Sequence, residues 1–179
     1  MTTSLTGRPR ASATGTSLTM PTHAHKEVGL GTSIGRGVAA GLAGATVMTA
    51  FQKLVEMPIT GRGDSYEPAN VAMRVLPIGR KRGPAKRRLN YVVHFSLGAT
   101  WGAAYSVVAR QGLRGPRAVA TAFAILWPGD VAATVALGLN PPPWRWSAQD
   151  LAIDVGNKVV LAGATGAVYD RLAGAAPAV

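Results

Sequence analysis

Four long apolar windows limit what this chain can fold into. They cover residues 37–57, 90–109, 118–139 and 151–169, and each is long enough to cross ~30 Å of hydrocarbon at ~1.5 Å per helical residue. Charged residues make up only 15% of the chain, against ~25% in soluble domains, and they concentrate between the windows. We therefore predict an all-α fold, a four-span transmembrane helical bundle over residues 32–174.

The principal alternative is a soluble, alanine-rich four-helix bundle. The third window argues against it, because it lacks the polar face that a surface helix of a soluble protein needs. The net charge of +11 suggests an anionic partner, yet the basic residues flank the spans and do not form a stripe with interleaved aromatics. We therefore predict lipid headgroups, and not nucleic acid, as that partner.

The first 31 residues are rich in Thr, Ser, Ala and Gly, which predicts a disordered N-terminal tail. Within it, His23 and His25 form an H-x-H pair, but structural zinc usually takes four ligands, so no metal site is predicted. The chain also lacks cysteine, which excludes disulfides, thiolate metal sites and cysteine nucleophiles. The first helix is expected to begin after Thr32 or Ser33 and to end at Pro58.

Glycines recur at helical spacing in three of the windows. Small residues spaced in this way let helix backbones approach closely. They predict packing faces within the bundle or toward a second copy or another membrane protein. The predicted packing residues are Gly37, Gly41, Gly98, Gly102, Gly163 and Gly166.

The connection over residues 58–89 is too long for a simple loop, and its segment from Ser65 to Leu76 predicts a short interfacial helix. A dense basic cluster precedes the second span. Such a cluster attracts anionic lipid headgroups by about 1 kcal/mol per residue near the surface. Its members are Arg80, Lys81, Arg82, Lys86, Arg87 and Arg88.

Ionisable residues inside the apolar windows are the strongest functional signal, because such groups need a partner or water. Asp130 follows Pro128-Gly129, which predicts a kink or short break in the third span. In that case Asp130 either pairs with Lys158 or accepts hydrogen bonds from the backbone N–H groups that the kink leaves unpaired. Asp154 lies one turn before Lys158, so these two residues are also placed to neutralise each other.

Depth along the helices links these groups. Four spans place the 58–89 connection and the 140–147 turn on the same side of the bundle, and each ionisable group lies in the half nearer that side. A one-sided polar vestibule is therefore predicted, with an imidazole able to exchange a proton near neutral pH. Its residues are Glu56, His94, Asp130, Asp154 and Lys158. For Glu56, a simple position at the headgroup boundary is the alternative.

From residue 37 onward the chain resembles the YagU-like small bacterial inner-membrane proteins. The resemblance rests on EMP at 56–58, on His94 leading to YSVVA at 105–109, and on LGLNPP at 137–142. It implies a multi-pass protein of the bacterial inner membrane without a defined reaction. The basic first connection and the PGD at 128–130 depart from the family pattern.

Three function classes remain open from the sequence. The first is a helix-packing scaffold or accessory subunit with a one-sided polar cavity, and the second is a proton-linked small transporter or channel using Asp130, Lys158 and His94. A membrane enzyme ranks last, because the chain carries no G-x-S-x-G, P-loop, Rossmann or metal-ligand motif. We therefore expect no enzymatic activity and no cofactor.

Overall fold

The structure, a computed structural model, describes Met1 and residues 29–174. Within that part every regular element is helical, and four helices are long and apolar enough to cross a membrane, with mean hydropathies from 1.2 to 1.5 over their most apolar stretches. The predicted all-α, four-span fold is confirmed. Nearly all of the predicted tail, with His23 and His25, lies outside the described residues. The helices are α1 Leu30–Thr60, α2 Glu67–Val75, α3 Gly83–Arg110, α4 Gly115–Ala136 and α5 Ala148–Ala173.

Helix α1 is longer at both ends than the sequence predicts. It begins at Leu30 after Gly29, and it continues through Pro58 to Thr60, so the predicted stop at Pro58 is wrong. A π-helical turn over Gln52–Glu56 precedes the proline. The wider turn gives the ring room against the preceding carbonyls, which is the usual reason why proline ends an α-helix.

Helix α1 is the centre of the bundle, and it packs on α3 and on α5. A Cβ built on Gly41 would lie 2.8 Å from the Gly102 Cα, and one built on Gly37 would lie 2.8 Å from the Ser106 Cβ. The backbones of α1 and α3 thus meet where glycine leaves room for them. Gly98 completes this contact, because a Cβ there would meet the Ala45 Cβ at 2.6 Å.

On α5 only one of the two predicted packing glycines is in close contact. A Cβ on Gly166 would lie 3.0 Å from the Tyr105 hydroxyl, whereas a Cβ on Gly163 has no neighbour within 4 Å. Leu161 and Thr165 face α1, where they approach Gly44. At ~100° per residue, Gly163 lies about 200° from both, on the opposite side of the helix. Within the bundle, the expectation of close packing at Gly163 is therefore not met.

Helix α4 runs through Pro128 without interruption, so the predicted short break is absent. A proline removes one backbone hydrogen bond, and the turns on either side keep theirs. Helix α5 begins after Ser147, as the S-x-x-D pattern at residues 147–150 indicates, and the Ser147 hydroxyl oxygen accepts a hydrogen bond of 3.0 Å from the Asp150 backbone N–H. This cap satisfies a donor that the first helical turn cannot pair internally.

The short helix predicted in the first connection is present as α2, and it packs on α3. The Asn90 side chain holds it in place: its Oδ1 accepts from the Ala69 N–H at 3.1 Å, and its Nδ2 donates to the Ser65 carbonyl at 2.9 Å. The first connection thus folds back over one end of the bundle. That end carries the polar residues described below.

Five of the six residues in the basic cluster are exposed, and Lys86 is half-buried with its Nζ 5.1 Å from the Tyr66 ring centre. Replacing Arg80, Lys81 and Arg82 together by Gln is expected to weaken retention of anionic lipid by up to about 3 kcal/mol, because each exposed cation contributes about 1 kcal/mol near a charged surface. Native mass spectrometry with phosphatidylglycerol measures this loss. Equal retention by the variant and the unmodified chain would contradict the predicted binding of lipid headgroups.

Candidate functional site

A cavity of about 700 Å³ lies between α1, α3, α4 and α5, with its mouth at the connections around residues 62–66 and 140–146. Of the eight acidic residues in the sequence, six line this cavity, together with five basic residues and His94. All five residues of the predicted vestibule are among them. The acidic residues are Glu56, Asp64, Glu67, Asp130, Asp150 and Asp154, and the basic residues are Lys53, Arg62, Arg87, Arg145 and Lys158.

An apolar cluster closes the inner end of the cavity. Ala45, Met48, Trp101 and Leu161 are buried against one another, and all four also line the cavity. A second buried cluster, centred on Tyr105, fills the half of the bundle nearer the termini. The cavity therefore reaches from one end toward the middle of the spans and stops there.

The deepest ion pair joins α4 to α5. Lys158 Nζ contacts Asp130 Oδ2, and the two side chains are 18% and 26% exposed. The i, i+4 pairing of Asp154 with Lys158 is not formed. Asp154 Oδ2 accepts a hydrogen bond of 2.7 Å from Trp127 Nε1 instead, because Lys158 reaches across to the neighbouring helix.

His94 connects α3 to α1 at the cavity wall. Its Nε2 lies 3.0 Å from Thr49 Oγ1, and the Thr49 hydroxyl donates to the Ala45 carbonyl at 2.8 Å. Since that hydroxyl has a single proton, its oxygen accepts from His94, so Nε2 carries the proton in this arrangement. Glu56 lies nearer the mouth, where its Oε1 is 2.9 Å from the Thr60 hydroxyl.

Two ion pairs lie at the mouth. Lys53 pairs with Asp64, and Arg62 pairs with Asp150 at 2.8 Å. Each of these four side chains is more than a third exposed, so each pair contributes little stability by itself. They connect the 61–66 segment to α1 and α5 and so outline the entrance.

Glu67 lines the cavity and was not recognised from the sequence. It opens α2, and its Oε1 accepts a hydrogen bond of 3.0 Å from Asn140 Nδ2, which joins α2 to the connection between α4 and α5. Burial raises the pKa of the Glu67 carboxyl, and the Asn140 hydrogen bond opposes that shift. Only the long-range folding of the first connection brings Glu67 to this position, so no local pattern indicated it.

The raised pKa of Glu67 predicts how its contribution depends on pH. A carboxyl whose pKa is higher in the folded state favours folding at low pH, and this contribution is lost as the pH rises from the ordinary value of 4.5 through the folded pKa. Glu67→Gln keeps an acceptor for Asn140 and removes the charge. We expect the thermal stability of the unmodified chain to fall relative to this variant as the pH rises through that window. A constant difference between the two would contradict the burial of an ionised Glu67.

Asn157 is a second lining residue with an unusual environment. It is 6% exposed, it lies on α5 between Asp154 and Leu161, and its Oδ1 has no hydrogen-bond partner among the residues that the structure describes. A buried amide oxygen without a donor is costly, by about 1–3 kcal/mol. Such an atom is either a strain that the fold tolerates or an acceptor for a bound molecule.

Comparison with known proteins supplies no assignment, since no family model, curated protein or solved structure matches this chain. Over the described residues no group of three or more His, Cys, Asp or Glu side chains is arranged to hold a metal ion. The geometry of the cavity is therefore the basis for the functional argument.

Proposed function

We propose that this protein is a multi-pass membrane protein that binds a small polar solute in its one-sided cavity. One observation carries the proposal: six of the eight acidic residues line a single cavity in a bundle of four long apolar helices. Ionisable side chains at membrane depth are costly and usually mark a substrate or ion pathway. A concave volume of about 700 Å³ is also within the range of small-molecule sites.

Most of the glycines that favoured a scaffold or accessory subunit already make contacts inside the bundle. Gly37, Gly41, Gly98 and Gly102 are used in the contact between α1 and α3, and Gly166 is used against Tyr105. These faces are therefore not free to receive another subunit. Of the predicted packing glycines, Gly163 alone has no neighbour within 4 Å of a built Cβ, so an accessory role would have to use that side of α5.

Proton-linked transport is the second candidate, and the inner ion pair supports it. Asp130 and Lys158 lie near the closed end of the cavity, with His94 on its wall. A transporter would separate the apolar cluster around Trp101 to connect the cavity with the other side. Liposomes that contain a pH-sensitive dye test this. Asp130→Asn should abolish any proton flux that the unmodified chain shows. If the unmodified chain shows no flux at any pH, proton-linked transport is contradicted and solute binding is the function that remains.

The experiment for solute binding uses the full chain in lipid nanodiscs. A thermal-shift panel of small amines, amino acids, sugars and carboxylates is expected to give at least one saturable stabilisation. The same shift should disappear in Asp130→Asn if the solute reaches the inner cavity. No stabilisation by any chemical class would contradict a solute-binding function.

We also propose a bacterial inner membrane as the location and YagU-like proteins as the relatives, on the resemblance of the sequence alone. Four apolar helices support the multi-pass membrane part of this proposal. The exposed basic cluster would then lie against anionic headgroups. Fractionation of expressing cells, with the protein in the inner-membrane fraction after a carbonate wash, tests the location.

A further inference from the structure

We infer that the inner part of the cavity binds a small organic cation with N–H donors, such as a primary ammonium, held by Asp154 and Asn157. The inference rests on the proposed function and names the class of its ligand. It follows from the balance of charge in the inner cavity, from the unpaired Asn157 oxygen and from an aromatic ring at the closed end.

The balance of charge favours a cationic ligand. Lys158 neutralises Asp130, whereas Asp154 and Glu67 have only neutral donors, from Trp127 and Asn140. Within the part of the chain that the structure describes, neither of these two carboxylates has a cationic side chain within 4 Å. The six acidic and five basic side chains that line the cavity leave it with a formal excess of one negative charge, and Asp154, one turn from Lys158, is a carboxylate without an ion-pair partner.

Asn157 adds an acceptor that this cation would satisfy. Its buried Oδ1 lacks a donor, and Asn157 follows Asp154 by three residues on α5, so both side chains project from the same side of the helix. An ammonium group has three N–H donors. One binds the Asp154 carboxylate, and another reaches the amide oxygen once the Asn157 amide turns to present to the cavity that oxygen, which is buried as it stands. A chloride or a carboxylate would leave that oxygen unpaired.

An aromatic ring completes this environment. Trp101 lines the cavity, and Lys158 Nζ lies 5.9 Å from its ring centre, so a cation of the chain already occupies this ring, which offers an apolar contact to the hydrocarbon part of the ligand. An inorganic metal ion is a poorer fit, because the described residues offer no cluster of three suitable ligands. A neutral alcohol or sugar would leave the charges of Asp154 and Glu67 uncompensated.

Three probes that share one carbon skeleton test the inference by calorimetry on the full chain in nanodiscs. They are phenethylammonium, 2-phenylethanol and phenylacetate. We expect saturable binding of phenethylammonium and at least about ten-fold weaker binding of the alcohol and the acid, since only the ammonium supplies both the charge and the donors.

Variants locate the binding. Asp154→Asn and Asn157→Leu should each weaken phenethylammonium binding by about ten-fold or more, and Asn157→Asp, which adds a carboxylate, should strengthen it. The matched control is Asp170→Asn, the same change on α5 but away from the cavity, with no expected effect. Circular dichroism melting shows which variants are folded, and Asn157→Asp provides a gain of affinity that misfolding would not produce.

The outcomes separate this inference from the proposed function. Equal affinity for the three probes, or preference for the alcohol or the acid, overturns the ammonium assignment and leaves a solute site in place. Phenethylammonium binding that is indifferent to Asp154→Asn and Asn157→Leu also overturns it. If no probe binds but a sugar or amino acid does in the thermal-shift panel, the ligand class is wrong. Failure of every compound in both experiments overturns the proposed function as well.

Discussion

Asp130→Asn is expected to lower the free energy of unfolding by up to about 3 kcal/mol, because it removes the carboxylate that the Lys158 ammonium contacts in a largely buried position. The two side chains are only 26% and 18% exposed, so water compensates poorly for the lost partner. Lys158→Met should cost a similar amount for the reciprocal reason. Unfolding in mixed micelles, followed by circular dichroism, measures both changes.

The double variant makes this prediction specific to the pair. Once Asp130→Asn and Lys158→Met are combined, neither charge remains, so the combined loss should be well below the sum of the two single losses. The shortfall is the coupling energy of the pair. Strictly additive losses would show that the two residues do not interact, which would contradict an ion pair in the inner cavity.

Gly41→Ala is expected to cost about 2 kcal/mol or more, since a Cβ at this position would overlap the Gly98 carbonyl oxygen and lie 2.8 Å from the Gly102 Cα. Overpacking of well-filled interiors typically costs 1–3 kcal/mol, and backbone atoms yield less readily than side chains. The same micelle unfolding experiment measures the loss.

Gly35→Ala is the matched control on the same helix. No heavy atom lies within 4 Å of a Cβ built there, and alanine favours the helix over glycine by about 0.5–1 kcal/mol. Its stability should therefore be unchanged or slightly higher. Equal losses from the two substitutions would mean that the close approach of α1 and α3 is not what Gly41 serves.

Several features of this fold are readable from the sequence because they depend on local pattern. The spans follow from four apolar windows, the start of α5 follows from the S-x-x-D at Ser147, and the gathering of ionisable groups in one half follows from counting residues along helices. Helical rise is regular, so depth along a span needs no knowledge of the partners.

Other features depend on the rotation of each helix about its own axis and on which elements meet. The sequence does not determine these features. Gly163 carries the same signal as Gly166, yet only the rotation of α5 decides which one faces a neighbour. Lys158 had candidate partners on its own helix and on α4, and a flexible side chain reaches either. Glu67 joined the cavity only because α2 folds back onto α3.

Accessibility of introduced cysteines tests the central claim most directly, since the chain contains no native cysteine. Thr49 lines the cavity, roughly 16 Å from the end of α1 by helical rise, whereas Val47, two residues away, is 47% exposed on the outer surface. In intact vesicles, Thr49→Cys is expected to react with a charged, water-soluble thiol reagent added to one side only, and Val47→Cys is expected not to react. Protection of Thr49→Cys from both sides, or rapid reaction of Val47→Cys, would contradict a one-sided polar cavity within a membrane-spanning bundle.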